Sequence, residues 1–370
     1  MVKILVSDPI SDKGINLLKE VGFDVLYRPD SSNEELMDLL NPIDGWIIRS
    51  GTKINKNMLM KAQKLQVIGR AGVGIDNIDV VEATNQGVIV MNTPDGNTIS
   101  AAEHTISMMM ALSRNIQLGH IGIINGQWNR SELVGVELKG KTLGIVGLGR
   151  IGREVMKRAI GMEMNILGYD PFVNKDIFDT EIVSIVEIDD LCERSDFITL
   201  HLPLLDSTRN LFNDKMMAKM KSSARIINVA RGGIINENDL AIALNTNIIA
   251  GAAIDVFESE PLSSDSPLIN AKNILLTPHL GASTYEASEG VSYGICCQIR
   301  DFIIEEKLSN PINMPISDMT QLKRIAPYLD LSKMLGKIQI QLVSSPIKSI
   351  SVECFGCIDD SKSISLSVLI

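Results

Sequence analysis

The stretch from Lys141 to Pro171 constrains this chain more than any other. Thr142 to Val146 is a short apolar run rich in branched residues, and it leads directly into Gly147-Leu148-Gly149-Arg150-Ile151-Gly152. That is the pattern of a buried strand turning sharply into a helix. In such a turn Gly147 permits the tight bend, Gly149 lets backbone N–H groups approach a pyrophosphate, and Gly152 lets the helix lie close on the strand. The phosphates would sit at a helix N-terminus, where unpaired N–H groups and the dipole favour anions. A helical stretch continues to about Ala159, and a second strand, Asn165 to Tyr169, ends at Asp170, 18 residues beyond Gly152. A carboxylate at that distance meets the ribose hydroxyls of NAD and repels the extra phosphate of NADP. Before Pro171 it also reads as an ordinary turn residue. The glycine motif alone is weak; the complete strand, turn, helix, strand and carboxylate unit predicts dinucleotide binding.

A chain of 370 residues is too long for one ordinary domain, so two or three are expected. Hydrophobic residues at 45% and charged ones at 22% describe a globular protein with ample core. No apolar run approaches the roughly 18 residues of a membrane span, and the charge and turn soon after Met1 mark a first strand rather than a signal peptide. A cytoplasmic protein is expected. The net charge of -10 argues against nucleic-acid and anionic-membrane partners. An anionic substrate must therefore be drawn in by a few local arginines. The five cysteines, Cys192, Cys296, Cys297, Cys354 and Cys357, form no plausible disulfide framework. Cys354-Phe-Gly-Cys357 has no second CxxC or nearby histidine to complete a metal site, so it reads as structural and no metal is expected.

Residues 1 to about 94 alternate strands (2–7, 23–27, 46–48, 65–69 and 88–91) with helices (11–21, 33–40 and 55–62). This alternation implies a parallel sheet covered on both faces. Ligands of such sheets bind beyond the carboxyl ends of the strands, where Arg49-Ser50-Gly51-Thr52 and Arg70-Ala71-Gly72-Val73-Gly74 lie. Each pairs an arginine with glycine, suited to an oxyanion, although surface arginines are also common. Asn92 to Asn97 is a turn cluster and a first hinge. Ser100 to about Asn125 reads as one long helix, apolar on most faces and hence buried in a core or against another subunit. Within it His104 reads as a satisfied core histidine and Met108 to Met110 as packing. Trp128 follows in a turn suited to an arm that grips a partner subunit.

Beyond the glycine unit, strands at 197–202, 225–229, 252–257 and 274–277 complete a six-stranded doubly wound sheet. Three of their ends carry Asn228-Val-Ala-Arg231-Gly232-Gly233, Asp255-Val-Phe-Glu258-Ser-Glu260-Pro261 and Pro278-His279-Leu-Gly281-Ala282. These groups divide the labour of hydride transfer to or from a 2-hydroxy acid. Arg231 binds a carboxylate through its planar fork. His279 exchanges the hydroxyl proton. Glu260, on the other ring nitrogen, sets the tautomer.

With these motifs read in order, RAGVGIDNID at 70, NTPDGNTISAAEHT at 92, GIVGLGRIGREV at 144, NVARGGIINE at 228, DVFESEP at 255 and PHLGAST at 278, the chain resembles the D-isomer-specific 2-hydroxyacid dehydrogenases over residues 1 to about 313. The resemblance implies Arg231, Glu260 and His279 as the catalytic set and NAD as cofactor. Its NAD contacts would be Gly147, Gly149, Arg150, Ile151, Gly152, Asp170, Pro203, Thr208, Ala230, Asp255, Gly281 and Ala282. Val73 joins them where many relatives carry threonine. Arg49, Ser50, Arg70, Gly72, Asn97 and Arg130 would hold the substrate, a phosphorylated 2-hydroxy acid, with Arg130 reaching in from a neighbouring subunit. The implied fold is α/β: two doubly wound parallel-sheet (Rossmann-like) domains with a cleft between them, closing as a hinge, plus a short α+β C-terminal segment. Residues 1–94 and 284–313 form the substrate-binding domain, 95–283 the NAD-binding domain and 314–370 a partial regulatory or intervening domain, with a helix from Asp318 to Leu335 and strands from Ile350 to Ile370. A homodimer or homotetramer through the nucleotide-binding domain is expected, with no nucleic acid and no membrane. Two other readings remain: a sister enzyme of small 2-oxo acids such as glyoxylate or hydroxypyruvate, and a non-enzymatic NAD-sensing corepressor.

Overall fold

A computed structural model describes residues 1–173, 178 and 182–314, together with 327, 328, 330, 331, 334–339 and 341. The chain divides into two compact units, residues 1–96 with 288–370, and residues 97–287. In the first unit, β1 (Lys3–Val6), α1 (Asp12–Glu20), β2 (Asp24–Tyr27), α2 (Asn33–Leu39), β3 (Gly45–Ile48), α3 (Lys56–Lys61), β4 (Val67–Arg70), α4 (Val80–Asn85) and β5 (Ile89–Asn92) follow one another. The strands form a five-stranded sheet in the order β2-β1-β3-β4-β5, and all four pairings are parallel. Its switch point, where the strand order reverses, lies between β1 and β3.

The alternating strand residues explain why the sheet is covered twice. Ile4, Val6, Ile47, Val67, Ile89 and Met91 enter one core, while Leu5, Trp46, Ile48, Ile68 and Val90 enter the other. Both faces are apolar, so the strands are continuous hydrophobic runs without alternating polarity. Helix α4, which the sequence reading passed over, is the crossover that the parallel β4–β5 pair requires. Its N-cap Asp79 accepts a hydrogen bond from the Glu82 N–H at 2.9 Å, but the polar VVEATN segment has only Ala83 buried.

The second unit opens with α5 (Thr98–Ser113) and α6 (Ile116–Ile124), which corrects the single helix read from 100 to 125. Asn115 sits at φ 52 and breaks the run, a left-handed conformation that asparagine tolerates better than most residues. Helix α5 buries Ala101, Ala102, Ile106, Met108, Met109 and Leu112, as a core helix should, whereas α6 buries no residue. Then come β6 (Thr142–Val146), α7 (Arg150–Gly161), β7 (Asn165–Tyr169), β8 (Val183–Ile185), α8 (Ile188–Arg194), β9 (Phe197–Leu200), α9 (Asp214–Met217), β10 (Arg225–Asn228), α10 (Glu237–Asn245), β11 (Gly251–Ile254) and β12 (Ile274–Leu276).

The second sheet has seven strands in the order β12-β11-β10-β9-β6-β7-β8, one more than the six read from the sequence. The additional edge strand β8 is only Val183-Ser184-Ile185, too short to leave a periodic signal. From β8 to β11 the order follows the dinucleotide-binding arrangement, with β6 and β9 at the switch point. Helix α11 (Tyr285–Glu305) enters the first unit, where Val291, Ile295, Ile299 and Phe302 pack with Ile4 and Val67. The segment after it lies along β5: Ile312 N–H donates to Val90 O at 2.8 Å, and the Asn313 amide bonds to both Val90 N and Val88 O. The described positions between 327 and 341 are helical. The rest of the 318–335 helix, the strands after 350 and the Cys354–Cys357 pair lie outside the described residues.

Candidate active site

The turn between β6 and α7 shows why glycines stand there. Gly147 has φ 98, donates to Tyr169 O at 2.8 Å, and a Cβ on it would lie 2.4 Å from the His201 carbonyl oxygen. A Cβ on Gly152 would lie 2.1 Å from the Gly147 carbonyl oxygen, so only glycine fits either position. Gly149 differs: it is the extended N-cap of α7, and nothing lies within 4 Å of where its Cβ would be. The start of α7, with Arg150 and Ile151, carries no side-chain cap and faces open space at Gly149. Asp170, ending β7, accepts from Leu148 N–H through Oδ2 and from Phe172 N–H through Oδ1, both at 2.9 Å. It ties β7 to the glycine turn and keeps lone pairs for further donors. An uncapped helix start beside this carboxylate fits a dinucleotide's phosphates and ribose. After β9, the neighbour of β6, Thr208 Oγ1 accepts from Leu205 N–H at 2.8 Å and donates to Pro203 O at 2.7 Å.

Three adjacent strands, β10, β11 and β12, deliver the remaining groups at their carboxyl ends. After β10, Asn228 holds its own turn: its Nδ2 donates to Arg231 O at 2.9 Å and its Oδ1 accepts from Ala230 N–H at 3.0 Å. Arg231 Nη1 donates to Ala230 O at 2.7 Å. A Cβ on Gly232 would lie 1.8 Å from Phe257 O, so the Arg231 turn rests directly on the loop after β11. In that loop Glu260 Oε1 accepts from Phe257 N–H at 3.1 Å, and Glu260 Oε2 lies 2.7 Å from His279 Nδ1. Both side chains of that pair are partly exposed. A carboxylate only accepts, so the His279 Nδ1 carries the hydrogen and Nε2 is left as a base.

Other side chains hold these loops, and of these the sequence reading did not single out Glu237. Glu237 at the start of α10 accepts from Glu258 N–H at 2.7 Å. Burial raises the Glu237 carboxyl above its ordinary range, against that hydrogen bond. Asp255, read as a cofactor contact, is fully buried, and its carboxylate is taken up by donors of this chain: Thr277 Oγ1, Leu280 N, Gly281 N and His104 Nε2. Burial pushes it upward, and the bonds from His104, Thr277 and Leu280 outweigh that to leave it below the usual carboxylate range. Burial pushes the Cys192 and Cys296 thiols up to about 12, so neither is a thiolate nucleophile.

In the first unit the expected substrate residues gather on two neighbouring strand ends, since Ile48 and Arg70 are register partners of β3 and β4. The 49–52 loop beside the switch point is clamped from both sides. Asp8 Oδ2 accepts from Arg49 N–H at 2.5 Å and Thr52 N–H at 3.1 Å, while Asn77 Nδ2 donates to Arg49 O and Thr52 O, both at 2.6 Å. Ser50 is exposed between them. The Arg70 guanidinium lies against Gly72, where a Cβ would come within 2.0 Å of Nη1. The Val73 carbonyl accepts from Asn92 Nδ2 at 2.6 Å. In the second unit Asn97 is the N-cap of α5 but makes no cap bond with its side chain, and its Oδ1 is buried without a hydrogen-bond partner. Arg130 starts the exposed turn Arg130–Glu132. Buried Asp8 and half-buried Asn77 left no spacing signal, because their bonds reach the backbone of a loop 25 to 44 residues away.

The family model for the D-isomer specific 2-hydroxyacid dehydrogenase, NAD binding domain, matches residues 106–281. A D-3-phosphoglycerate dehydrogenase of Methanocaldococcus jannaschii is 44% identical over 95% of this chain and 67% of its own length. One from Synechocystis is 44% identical over 95% of this chain and 63% of its own. The chain thus spans about two thirds of the length of these curated relatives. Among solved structures, an NAD-dependent formate dehydrogenase from Staphylococcus aureus in complex with NAD superposes with a TM-score of 0.75 at 29% identity, covering 84% of this chain and 99% of that one.

Proposed function

Since this chain belongs to the D-isomer-specific 2-hydroxyacid dehydrogenases, we propose that it oxidises 3-phospho-D-glycerate to 3-phosphohydroxypyruvate, the entry step to L-serine. The observation that carries the chemistry is the 2.7 Å contact between His279 Nδ1 and Glu260 Oε2, made beside the Arg231 turn in the NAD-binding unit of an NAD-dependent dehydrogenase family. Gly149, Arg150, Ile151 and Asp170 would hold NAD, which would supply the hydride acceptor. His279 Nε2 takes the proton of the substrate hydroxyl, and Glu260 stabilises the imidazolium that results. Arg231 holds the substrate carboxylate and polarises the neighbouring oxygen. As the family resemblance implies, the phosphate is assigned to Arg49 and Arg70, with Arg130 reaching in from a neighbouring subunit. The curated relatives named for 3-phosphoglycerate support that choice of substrate over glyoxylate or hydroxypyruvate.

Residues 1–94 and 284–313 are assigned to substrate, 95–283 to NAD, and 314–370 to a regulatory or intervening segment. A homodimer or homotetramer through the NAD-binding unit is supported by α6 and the arm after it. Ile121, Ile124, Trp128 and Val134 there are 53, 70, 82 and 80% exposed, an apolar surface that monomers seldom leave uncovered. Among the described residues no helix is long and apolar enough to cross a membrane. The free thiols of Cys192, Cys296 and Cys297 suit the reducing cytoplasm.

The test is NADH production from 3-phospho-D-glycerate, followed by the charge reversals Arg49→Glu and Arg130→Glu. These raise KM for the phosphorylated acid by about ten- to a hundredfold, the loss of one charged hydrogen-bond partner, and change little with unphosphorylated 2-hydroxy acids. Equal effects on both substrate classes remove the phosphate assignment.

A further inference from the structure

The turn that carries His279 is built around a buried carboxylate. Asp255 Oδ1 accepts from Thr277 Oγ1 at 2.5 Å, Leu280 N–H at 2.8 Å and His104 Nε2 at 3.2 Å, and Oδ2 accepts from Gly281 N–H at 2.9 Å. The Asp255 carbonyl oxygen accepts from His279 N–H at 2.8 Å. Every residue from Thr277 to Gly281 except Pro278 and its ring nitrogen is therefore tied to Asp255. The ties are needed, because His279 adopts φ 55, the left-handed region that a Cβ disfavours.

Three of the four donors to the carboxylate belong to the turn itself. The fourth does not: His104 comes from α5, and its side chain is 19% exposed. One helical turn earlier on the same face, Ser100 Oγ donates to the Gly281 carbonyl oxygen at 3.0 Å. Helix α5 thus grips the turn at two points, Ser100 on its backbone and His104 on the carboxylate that organises it. The ring nitrogen of this core histidine is satisfied by the acceptor that organises the turn.

We propose that His104 is a positioning residue for proton transfer: through Asp255, and alongside Ser100, it holds the Thr277–Gly281 turn in the left-handed conformation that sets His279 on Glu260. The catalytic consequence rests on the hydride-transfer reading above; the mechanical claim stands without it. Losing one donor to a buried carboxylate loosens the turn without removing a group that touches substrate.

The test compares His104→Leu, which keeps the bulk and removes the donor, with His104→Gln, whose amide N–H reaches close to the Nε2 position. In the full chain, His104→Leu lowers kcat about five- to tenfold while KM for NAD and for the acid stays within about twofold, and amide exchange at Leu280 and Gly281 quickens by a similar factor, as expected when a carboxylate loses one of four donors and keeps the other three. His104→Gln restores both. The proposal is overturned if His104→Leu leaves kcat and exchange at the parent level, if His104→Gln is no better than His104→Leu, or if exchange rises equally throughout β10 and β11. Should the parent chain transfer no hydride with any 2-hydroxy acid, the enzyme reading fails, and exchange at Leu280 and Gly281 still decides the role of His104.

Discussion

His279 Nδ1 and Glu260 Oε2 stand 2.7 Å apart, though they are 19 residues apart in sequence and lie in the loops after two different strands, β12 and β11. The contact leaves a single ring nitrogen of His279 open, which makes the imidazole a base of defined tautomer.

Removing either partner has separable results. His279→Gln lowers kcat by about two to four orders of magnitude, the usual contribution of a general base. Glu260→Gln keeps a polar partner for Nδ1 but does not stabilise imidazolium, so kcat falls by about tenfold to a hundredfold. Steady-state rates at saturating NAD and acid check both, and a Glu260→Gln loss as deep as that of His279→Gln contradicts this division of roles.

Arg231→Lys retains charge but not the planar fork. We expect kcat/KM for the 2-hydroxy acid to fall by about tenfold to a hundredfold, with NAD affinity unchanged. Isothermal titration of NAD beside substrate kinetics reads the two effects separately.

The glycines of the β6–α7 turn separate folding from binding. Gly152→Ala drives a Cβ to 2.1 Å from a carbonyl oxygen of the same turn, and thermal unfolding of that variant occurs several degrees lower, a cost of about 1–3 kcal/mol. Gly149→Ala meets nothing within 4 Å, so its melting temperature stays near the parent value while NAD affinity drops. Equal melting losses in the two variants count against this account of the turn.

His201, half-buried just after β9 with its Nε2 3.0 Å from Thr199 Oγ1, has its pKa lowered by desolvation from 6.5 to about 3. Below pH 6.5 the unfolded chain binds a proton that the folded chain refuses, so stability falls as pH falls through the window between those two values. Denaturant midpoints from pH 7 to 5 measure this. His201→Gln flattens the slope by on the order of 1 kcal/mol per pH unit, and an unchanged slope shows that His201 protonates in the fold.

Residues close in sequence were legible before any coordinates. The strand, Gly147–Gly152 and Asp170 form one local unit whose backbone demands are written in consecutive residue types, and the apolar runs declared sheets covered on both faces. The family motifs named Arg231, Glu260 and His279 for the same reason, since each motif is a strand end with its own turn. Local signals also misled: the continuous apolar stretch from Ser100 hid the break at Asn115, a three-residue edge strand left no trace, and helix α4 passed unseen. Tertiary structure decided what binds to what over long separations. It turned Asp255 into the centre of the His279 turn, gave His104 an acceptor 151 residues away, and clamped Arg49 between Asp8 and Asn77. Patterns along a chain report the geometry of neighbouring residues; the partner of a buried polar group depends on which strand ends the sheet order brings side by side.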